Sequence, residues 1–283
     1  MNDTSIQIER THFSSVDGRQ IFFQANTHQK SIGNILIVHG FGEHSGRYDE
    51  LTNILNGKGY NVFRFDLRGH GRSDGKRGHI FEFEEYLQDF ACFKERSLAH
   101  KNAHTTTYLV AHSYGGLVSL SSVIRDPSDI CGLALSSPFF GLADGTPKWK
   151  IGLGKILSKY VPSLSLPTEI DAKDVSHDPH IVDQYATDTL MGRTASTRWL
   201  TETLGAQERA FENAHQVTLP LLWQQAGDDR LVSKAASRRM YDTTNSADKE
   251  WIEYPEMYHE IWFEKDRTLT IGALTKWLDK QNQ

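Results

Sequence analysis

The sequence predicts an α/β fold, a doubly wound and mostly parallel sheet that carries a helical insertion. Three observations predict it. The segments ILIV from Ile35, YLVA from Tyr108 and ICGLALSS from Ile130 are apolar almost throughout, as strands covered on both faces are in a parallel sheet. Each is followed by a helical period, so strand and helix alternate as they do in doubly wound folds. Between Pro138 and about Gln216 that rhythm stops, and Gly and Pro residues separate short helical pieces with no convincing strand. The expected organisation is a core of residues 1–137 and 217–283 with a cap inserted at 138–216.

IQIER and RQIFFQAN alternate apolar and polar residues, as two half-buried strands of a hairpin would, with Asp17-Gly18 at the turn. The buried strand from Ile35 to Val38 breaks at His39-Gly40-Phe41-Gly42, where glycines leave backbone N–H groups free to meet a ligand. A helix is expected from about Arg47 to Lys58, then a strand in YNVFRF and a glycine-rich loop, DLRGHGRSDG. Phe83, Tyr86, Leu87, Phe90 and Phe93 recur at helical spacing and mark a helix packed on the sheet. The strand TTTYLV leads to Ser113, followed by a helix from Gly115 to about Ile124 that Asp126-Pro127 stops. After the cap, VTLPLLWQQAG resumes the strand pattern and Gly227-Asp228-Asp229-Arg230 ends it. A helix from roughly Lys234 to Tyr241, the strand KEWIEY, the loop PEMYHE and a closing helix with Leu269, Ile271, Leu274, Trp277 and Leu278 complete the chain.

A chain of 283 residues with a net charge of -5 can bury a large core and has no basic face for nucleic acid. No apolar run reaches the roughly 20 residues that span a bilayer. The first residues, MNDTSIQIER, lack the basic and apolar regions of a secretory signal. Cys92 and Cys131 fall in a patterned helix and an apolar strand and are expected to be buried thiols, which suits a reducing cytoplasm.

Right-handed crossovers place every strand-to-helix turn at one carboxyl edge of such a sheet, where ligands bind. Three strands end there in reactive residues: Ser113, Asp229 and His259. Around Ser113 the sequence reads Ala111-His112-Ser113-Tyr114-Gly115, a nucleophile elbow with alanine in place of its first glycine. A serine hydroxyl needs a neighbouring base, and an imidazole oriented by a carboxylate provides one. His259 is the expected base, while His39 and His112, too near in sequence to reach across, are expected to be structural. Asp229 is the expected acid partner, with the adjacent Asp228 as its rival. The backbone N–H groups of Tyr114 and Phe41 are the expected oxyanion donors, and Phe41 can also wall an acyl chain.

Other chemistries find little support. The DLRGHGRSDG glycines do not match P-loop spacing, so Asp66, Arg68, His70 and Ser73 are expected to tie that loop together locally. No metal is expected, since His177 and His180 in the cap have no third ligand at fitting distance, and no cofactor motif is present.

HGFGEHSGRY, DLRGHGRSDG, AHSYGG, AGDDRLV and MYHE together resemble the successive motifs of the monoacylglycerol lipase and lysophospholipase group of α/β-hydrolases. The resemblance implies the α/β-hydrolase fold and a serine hydrolase cleaving a single-acyl lipid ester, with no cofactor. It implies Ser113 as nucleophile, Asp229 as acid partner, His259 as base, and Phe41 and Tyr114 as oxyanion donors. Short-chain carboxylesterase, thioesterase and aminopeptidase activities on the same scaffold stay open, as does a binding protein without turnover. Tyr114 stands where relatives often carry methionine and is expected to narrow the pocket beside the nucleophile.

Substrate choice should lie in the cap. Trp149, Leu153, Ile156, Leu157 and Tyr160 form an apolar face at helical spacing, flanked by Lys148, Lys150, Lys155 and Lys159. Such a helix can rest on an anionic membrane and admit a lipid, or pack its apolar face on the core with its lysines solvated. The expected partner is a small lipid ester, with peripheral membrane contact through this helix.

Overall fold

The computed structural model describes residues 6–100, 106–143, 145–168 and 170–282. An eight-stranded sheet runs through its centre in the order β1-β2-β4-β3-β5-β6-β9-β10. Strands β1 (Gln7–Ser14) and β2 (Gln20–Thr27) form the expected antiparallel hairpin, with Gly18 at a φ of 85° in the turn. Unlike the half-buried strand its alternation suggested, β2 is buried from Ile21 to Asn26. It pairs antiparallel with β4 (Tyr60–Phe65), and the inner strands that follow are parallel to one another. These are β3 (Gly33–Val38), β4, β5 (Thr106–His112), β6 (Gly132–Ser136), β9 (Leu221–Ala226) and β10 (Lys249–Tyr254).

The unbroken apolar runs are divided between two layers of core. Leu36, Val38, Leu109, Ala111, Leu133 and Leu135 face one side, while Ile35, Ile37, Tyr108, Val110 and Ala134 face the other. Helices α2 (Glu84–Leu98), α3 (Tyr114–Arg125) and α7 (Lys234–Thr243) contribute to the first layer, and α1 (Asp49–Gly57) and α8 (Arg267–Gln281) to the second. The helix expected from Arg47 starts as a 3₁₀ turn, Ser45–Tyr48, and becomes α-helical at Asp49. On α8 the expected stripe holds except at Leu269, which is exposed.

The thiols depart from expectation. Cys92 is partly buried, whereas Cys131 is exposed because it precedes β6 rather than belonging to it.

Between β6 and β9 lie α4 (Lys148–Tyr160), α5 (Pro179–Thr187) and α6 (Thr197–Asn213). A two-stranded antiparallel ribbon joins them, formed by β7 (Ser165–Pro167) and β8 (Thr194–Ser196). This ribbon leaves no mark in the sequence pattern, since three residues are too few to display a period of two.

Helix α4 meets α6 through its small residues. Ser158 Oγ lies 2.7 Å from Thr201 Oγ1, and a methyl added to Gly154 would stand 2.8 Å from Leu200. Several of its large apolar residues stay exposed: Trp149 is 67% exposed, Ile156 59% and Tyr160 73%. None of the described helices is long and apolar enough to cross a membrane.

Candidate active site

The turn from β5 into α3 is sharp enough to hold Ser113 at φ 50° and ψ -118°, a conformation costing about 1–3 kcal/mol that the surrounding packing must offset. Backbone bonds fix it from both sides: Ser113 N–H donates to the Ser136 carbonyl, and its own carbonyl accepts from Gly116 and Phe139, each at 2.9 Å. A side chain at Gly115 would collide with the carbonyl oxygens of Val38 and His39, so glycine is required there. Ala111, at the elbow's altered position, is fully buried between β3 and β6 in the core layer, where its single methyl fits.

His259 reaches Ser113 from the loop after β10. That loop is tied to the one after β9 by Gly227 N–H to the Tyr254 carbonyl at 2.8 Å and Asp228 N–H to the Met257 carbonyl at 3.2 Å. Ser113 Oγ lies 2.8 Å from His259 Nε2, and His259 Nδ1 lies 2.9 Å from Asp229 Oδ2. The carboxylate requires a donor, so Nδ1 carries the proton and Nε2 accepts from the serine. Asp229 Oδ1 accepts the N–H groups of Leu231 and Val232, both at 3.0 Å, which locks the carboxylate toward the imidazole. Its rival Asp228 is half-exposed and paired with Arg230 at 3.1 Å. Burial pulls the His259 pKa down, but the charge and hydrogen bond of Asp229, helped by Glu260 and Glu43, outweigh it and leave it raised.

The two histidines beside the site have other duties. His39 Nε2 accepts the Leu67 N–H at 2.9 Å and its Nδ1 lies 2.7 Å from the Gly40 carbonyl. Burial lowers its pKa. His112 is held by the Ser136 carbonyl at 3.1 Å, with its ring centroid 4.9 Å from that of His259. Burial and the neighbouring imidazole push it down to about 3, so it stays neutral and leaves titration near neutrality to His259.

The HGFG turn abuts the nucleophile, for a methyl on Gly40 would stand 3.1 Å from Ser113 Cβ. Tyr114 opens α3, where the first amides have no helical carbonyl to bond. Its side chain does not enter the pocket as expected. The ring is fully buried among Phe83, Tyr86 and Trp199, and its hydroxyl lies 3.2 Å from Thr203 Oγ1 on α6. Phe41 does form a wall, with its ring centroid 4.1 Å from that of Trp199.

Three charged residues beside the site drew no role from the sequence. Glu43 accepts the Gly40 N–H at 2.5 Å, the Tyr48 hydroxyl at 2.7 Å and Arg47 at 2.8 Å. Arg47 continues to Glu260 with bonds of 2.7 and 2.6 Å. All three are buried, so this ion triad joins the HGFG turn to the residue after His259. The signal available was the four-residue spacing of Glu43 and Arg47, which on an ordinary helix marks a solvated pair. The glycine-rich loop is likewise less local than expected. Asp66 accepts from Ser45 N–H at 2.7 Å and Arg72 N–H at 2.8 Å, and Arg68 reaches Asp89 on α2 at 2.6 Å.

Above Ser113 opens a cavity of about 690 Å³. Its floor is polar, with His112, Ser113, His259, Glu43 and Glu260, and its walls are largely apolar, including Phe139, Leu142 and Leu200. Of the four cap residues expected at the substrate, Trp149, Leu153 and Leu157 line it, and Ile156 faces outward. Among the described residues no cluster of His, Cys, Asp or Glu could hold a metal ion.

The family described as serine aminopeptidase, S33, matches residues 29–266. A monoacylglycerol lipase of Mycolicibacterium smegmatis is 30% identical over 272 residues, covering 94% of this chain and 95% of its own. Phospholipase YtpA of Bacillus subtilis is 31% identical over 254 residues, covering 89% and 96%. The crystal structure of a Paleococcus ferrophilus monoacylglycerol lipase superposes with a TM-score of 0.81 at 30% identity, covering 98% of this chain and 99% of that one.

Proposed function

Since the chain belongs to the monoacylglycerol lipase-like α/β-hydrolases of the serine aminopeptidase, S33, family, we propose that it hydrolyses single-acyl lipid esters through an acyl-enzyme. The observation that carries this reading is the hydrogen-bonded line Asp229, His259, Ser113 ending at the floor of an apolar cavity.

Ser113 Oγ attacks the ester carbonyl carbon while its proton passes to His259 Nε2. The carbonyl electron pair moves onto the oxygen, which the Phe41 and Tyr114 amides receive. Asp229 stabilises the imidazolium. Collapse of the tetrahedral intermediate breaks the bond to the alcohol oxygen, which leaves with the proton from His259. Water then attacks the acyl-enzyme, gives a proton to His259, and the second collapse returns that proton to Ser113 Oγ as the fatty acid departs. A series of glyceryl esters of rising chain length tests this. The kcat/KM should rise with chain length as the apolar walls fill, and a fall beyond short acyl groups would instead make the chain a short-chain carboxylesterase.

The polar floor favours a neutral alcohol. Beside Ser113 the cavity is lined by two carboxylates, Glu43 and Glu260, that share the one Arg47 guanidinium, while its other charged lining residues, Lys150 and Arg230, belong to α4 and the loop after β9. A phosphodiester held against Glu43 and Glu260 would be repelled at low dielectric, whereas glycerol hydroxyls can donate to these carboxylates. A monoacylglycerol should therefore be cleaved with a kcat/KM at least about tenfold above that of a lysophospholipid of the same chain, roughly 1.4 kcal/mol in the transition state. Equal values in a side-by-side assay would remove the head-group reading and leave the esterase reading standing.

Residues 138–216 serve as the cap over this cavity, and α4 is its contact with the lipid surface. The exposed Trp149, Ile156 and Tyr160, with Lys155 and Lys159 on the same helix, suit a peripheral helix on an anionic bilayer, and the free thiols suit a cytoplasmic site of action. Ile156→Ser with Tyr160→Ser leaves the cavity lining intact. It should lower partitioning onto anionic vesicles by about tenfold in a sedimentation assay, while raised salt weakens the unmodified protein too. Unchanged partitioning of this variant would rule out α4 as the contact.

A further inference from the structure

We propose that Gly192 of the cap is a positioning residue for the oxyanion turn, so that the cap governs the chemical step as well as access to it. This rests on the reading of the Phe41 amide as an oxyanion donor. That amide lies between two anchors. On one side the Gly40 N–H donates to Glu43 at 2.5 Å, and Glu43 is itself held by Tyr48 and Arg47. On the other side the Gly42 carbonyl accepts the N–H of Gly192 at 2.6 Å. The first anchor belongs to the core and the second to the cap.

The contact requires glycine at position 42 for a steric reason. Gly42 has a φ of 77°, and a methyl there would stand 2.7 Å from the Gly192 carbonyl oxygen. Any side chain at position 42 would both strain the turn and push the segment around Gly192 away.

The cap side of the contact is stiff. Asp188 Oδ2 meets the buried His44 at 2.8 Å, two residues beyond Gly42, and so adds a second link between the same segments. Asp188 also accepts the N–H groups of Leu190 at 2.8 Å and Met191 at 3.3 Å. Arg193 binds the carbonyls of Tyr185 and Ala186 at 3.0 and 2.7 Å, and Met191 is buried with Val175 and Tyr185. A segment braced in this way fixes where the turn can stand.

Loss of an oxyanion donor costs about 10²–10³ in kcat, and misplacement by about 1 Å costs up to about 10². Loosening one of two anchors should therefore lower kcat by about 10 to 100-fold without a matching change in KM.

The test uses p-nitrophenyl acetate, whose acyl group is too short to need the cap walls, and phenylboronic acid, which forms a tetrahedral adduct with the serine. Gly42→Ala removes the close approach, and Gly192→Pro removes the donor. Rates are taken per active site by fluorophosphonate titration, and folding is followed by thermal unfolding, so a variant that does not fold is recognised and the other decides.

Both variants should lose about 10 to 100-fold in kcat on the acetate ester and bind the boronate more weakly by a similar factor. Gly192→Ala keeps the N–H, and its methyl would meet Gly42 Cα only at 3.5 Å. It should restore most of the rate lost in Gly192→Pro. Folded, titratable Gly42→Ala or Gly192→Pro protein with an unchanged kcat and boronate affinity would overturn the clasp. Acetate hydrolysis that survives Ser113→Ala would instead overturn the esterase reading beneath it, so the two failures are distinct.

Discussion

Replacing Ser113 with alanine should lower kcat by about 10⁶, since nucleophile and base act as a unit and loss of either removes most of what both contribute. The only group lost is a hydroxyl whose partner is His259 Nε2 at 2.8 Å. The backbone bonds of residue 113 to Ser136, Gly116 and Phe139 do not involve the side chain. The variant should therefore unfold at nearly the same temperature while failing to react with a fluorophosphonate. A monoacylglycerol assay that finds more than a hundredth of the normal rate in folded Ser113→Ala would sink the assignment.

The second large effect separates two neighbours. Asp229→Asn should cost about 10⁴ in kcat, because an amide can donate to His259 Nδ1 and thereby place the imidazole proton on Nε2, where it cannot accept from serine. Asp228→Asn should stay within about twofold, since that side chain is half-exposed and its pair with the exposed Arg230 is worth about 0–1 kcal/mol. If the Asp228 variant loses turnover and the Asp229 variant keeps it, the acid has been misassigned.

The same pair predicts a pH dependence. His259 must be neutral to act, and Asp229 raises its pKa above the ordinary value near 6.5, so kcat/KM should rise with pH to a midpoint above about 6.5. In Asp229→Asn the carboxylate no longer opposes burial, so the midpoint should move down. The stability term has the opposite sense. A raised folded-state pKa means that the charged His259–Asp229 pair adds stability in full below the unfolded pKa, and this contribution is lost as pH rises through the folded one. Activity therefore appears over the window in which this source of stability disappears.

Much of the fold was legible because burial on both faces writes an unbroken apolar run, and such runs mark β3, β5 and β6. The convergence of Ser113, Asp229 and His259 followed from topology, since parallel strands bring their carboxyl ends to one edge. The choice between Asp228 and Asp229 was not legible from side-chain chemistry, which is identical. What distinguishes them is the pair of N–H groups from Leu231 and Val232 that turns one carboxylate inward. Tyr114 was misjudged because its ring leaves the pocket for a space among Phe83, Tyr86 and Trp199 that only the packed helices create. The triad Glu43, Arg47 and Glu260 escaped notice for a related reason, as charged residues in a sequence read as surface until their mutual pairing is seen.

The place where the chain leaves the sheet bears on how freely this enzyme can change. The excursion at 138–216 departs after β6 and returns at β9, and those strands are neighbours with Ser136 paired to Gln224. Because the two strands are parallel, the chain leaves at the carboxyl edge and re-enters at the amino edge, where Leu221 stands beside Leu133, so the ends of the excursion are held a strand's length apart whatever lies between them. Doubling the length of such a loop adds only about 0.6 kcal/mol of closure entropy. The part of the excursion before α6 can therefore vary in size or composition on an unaltered sheet, whereas α6 carries Ala206 and Ala210 into the core layer and has to stay. On the clasp proposed above, each new segment must also present a backbone N–H to Gly42.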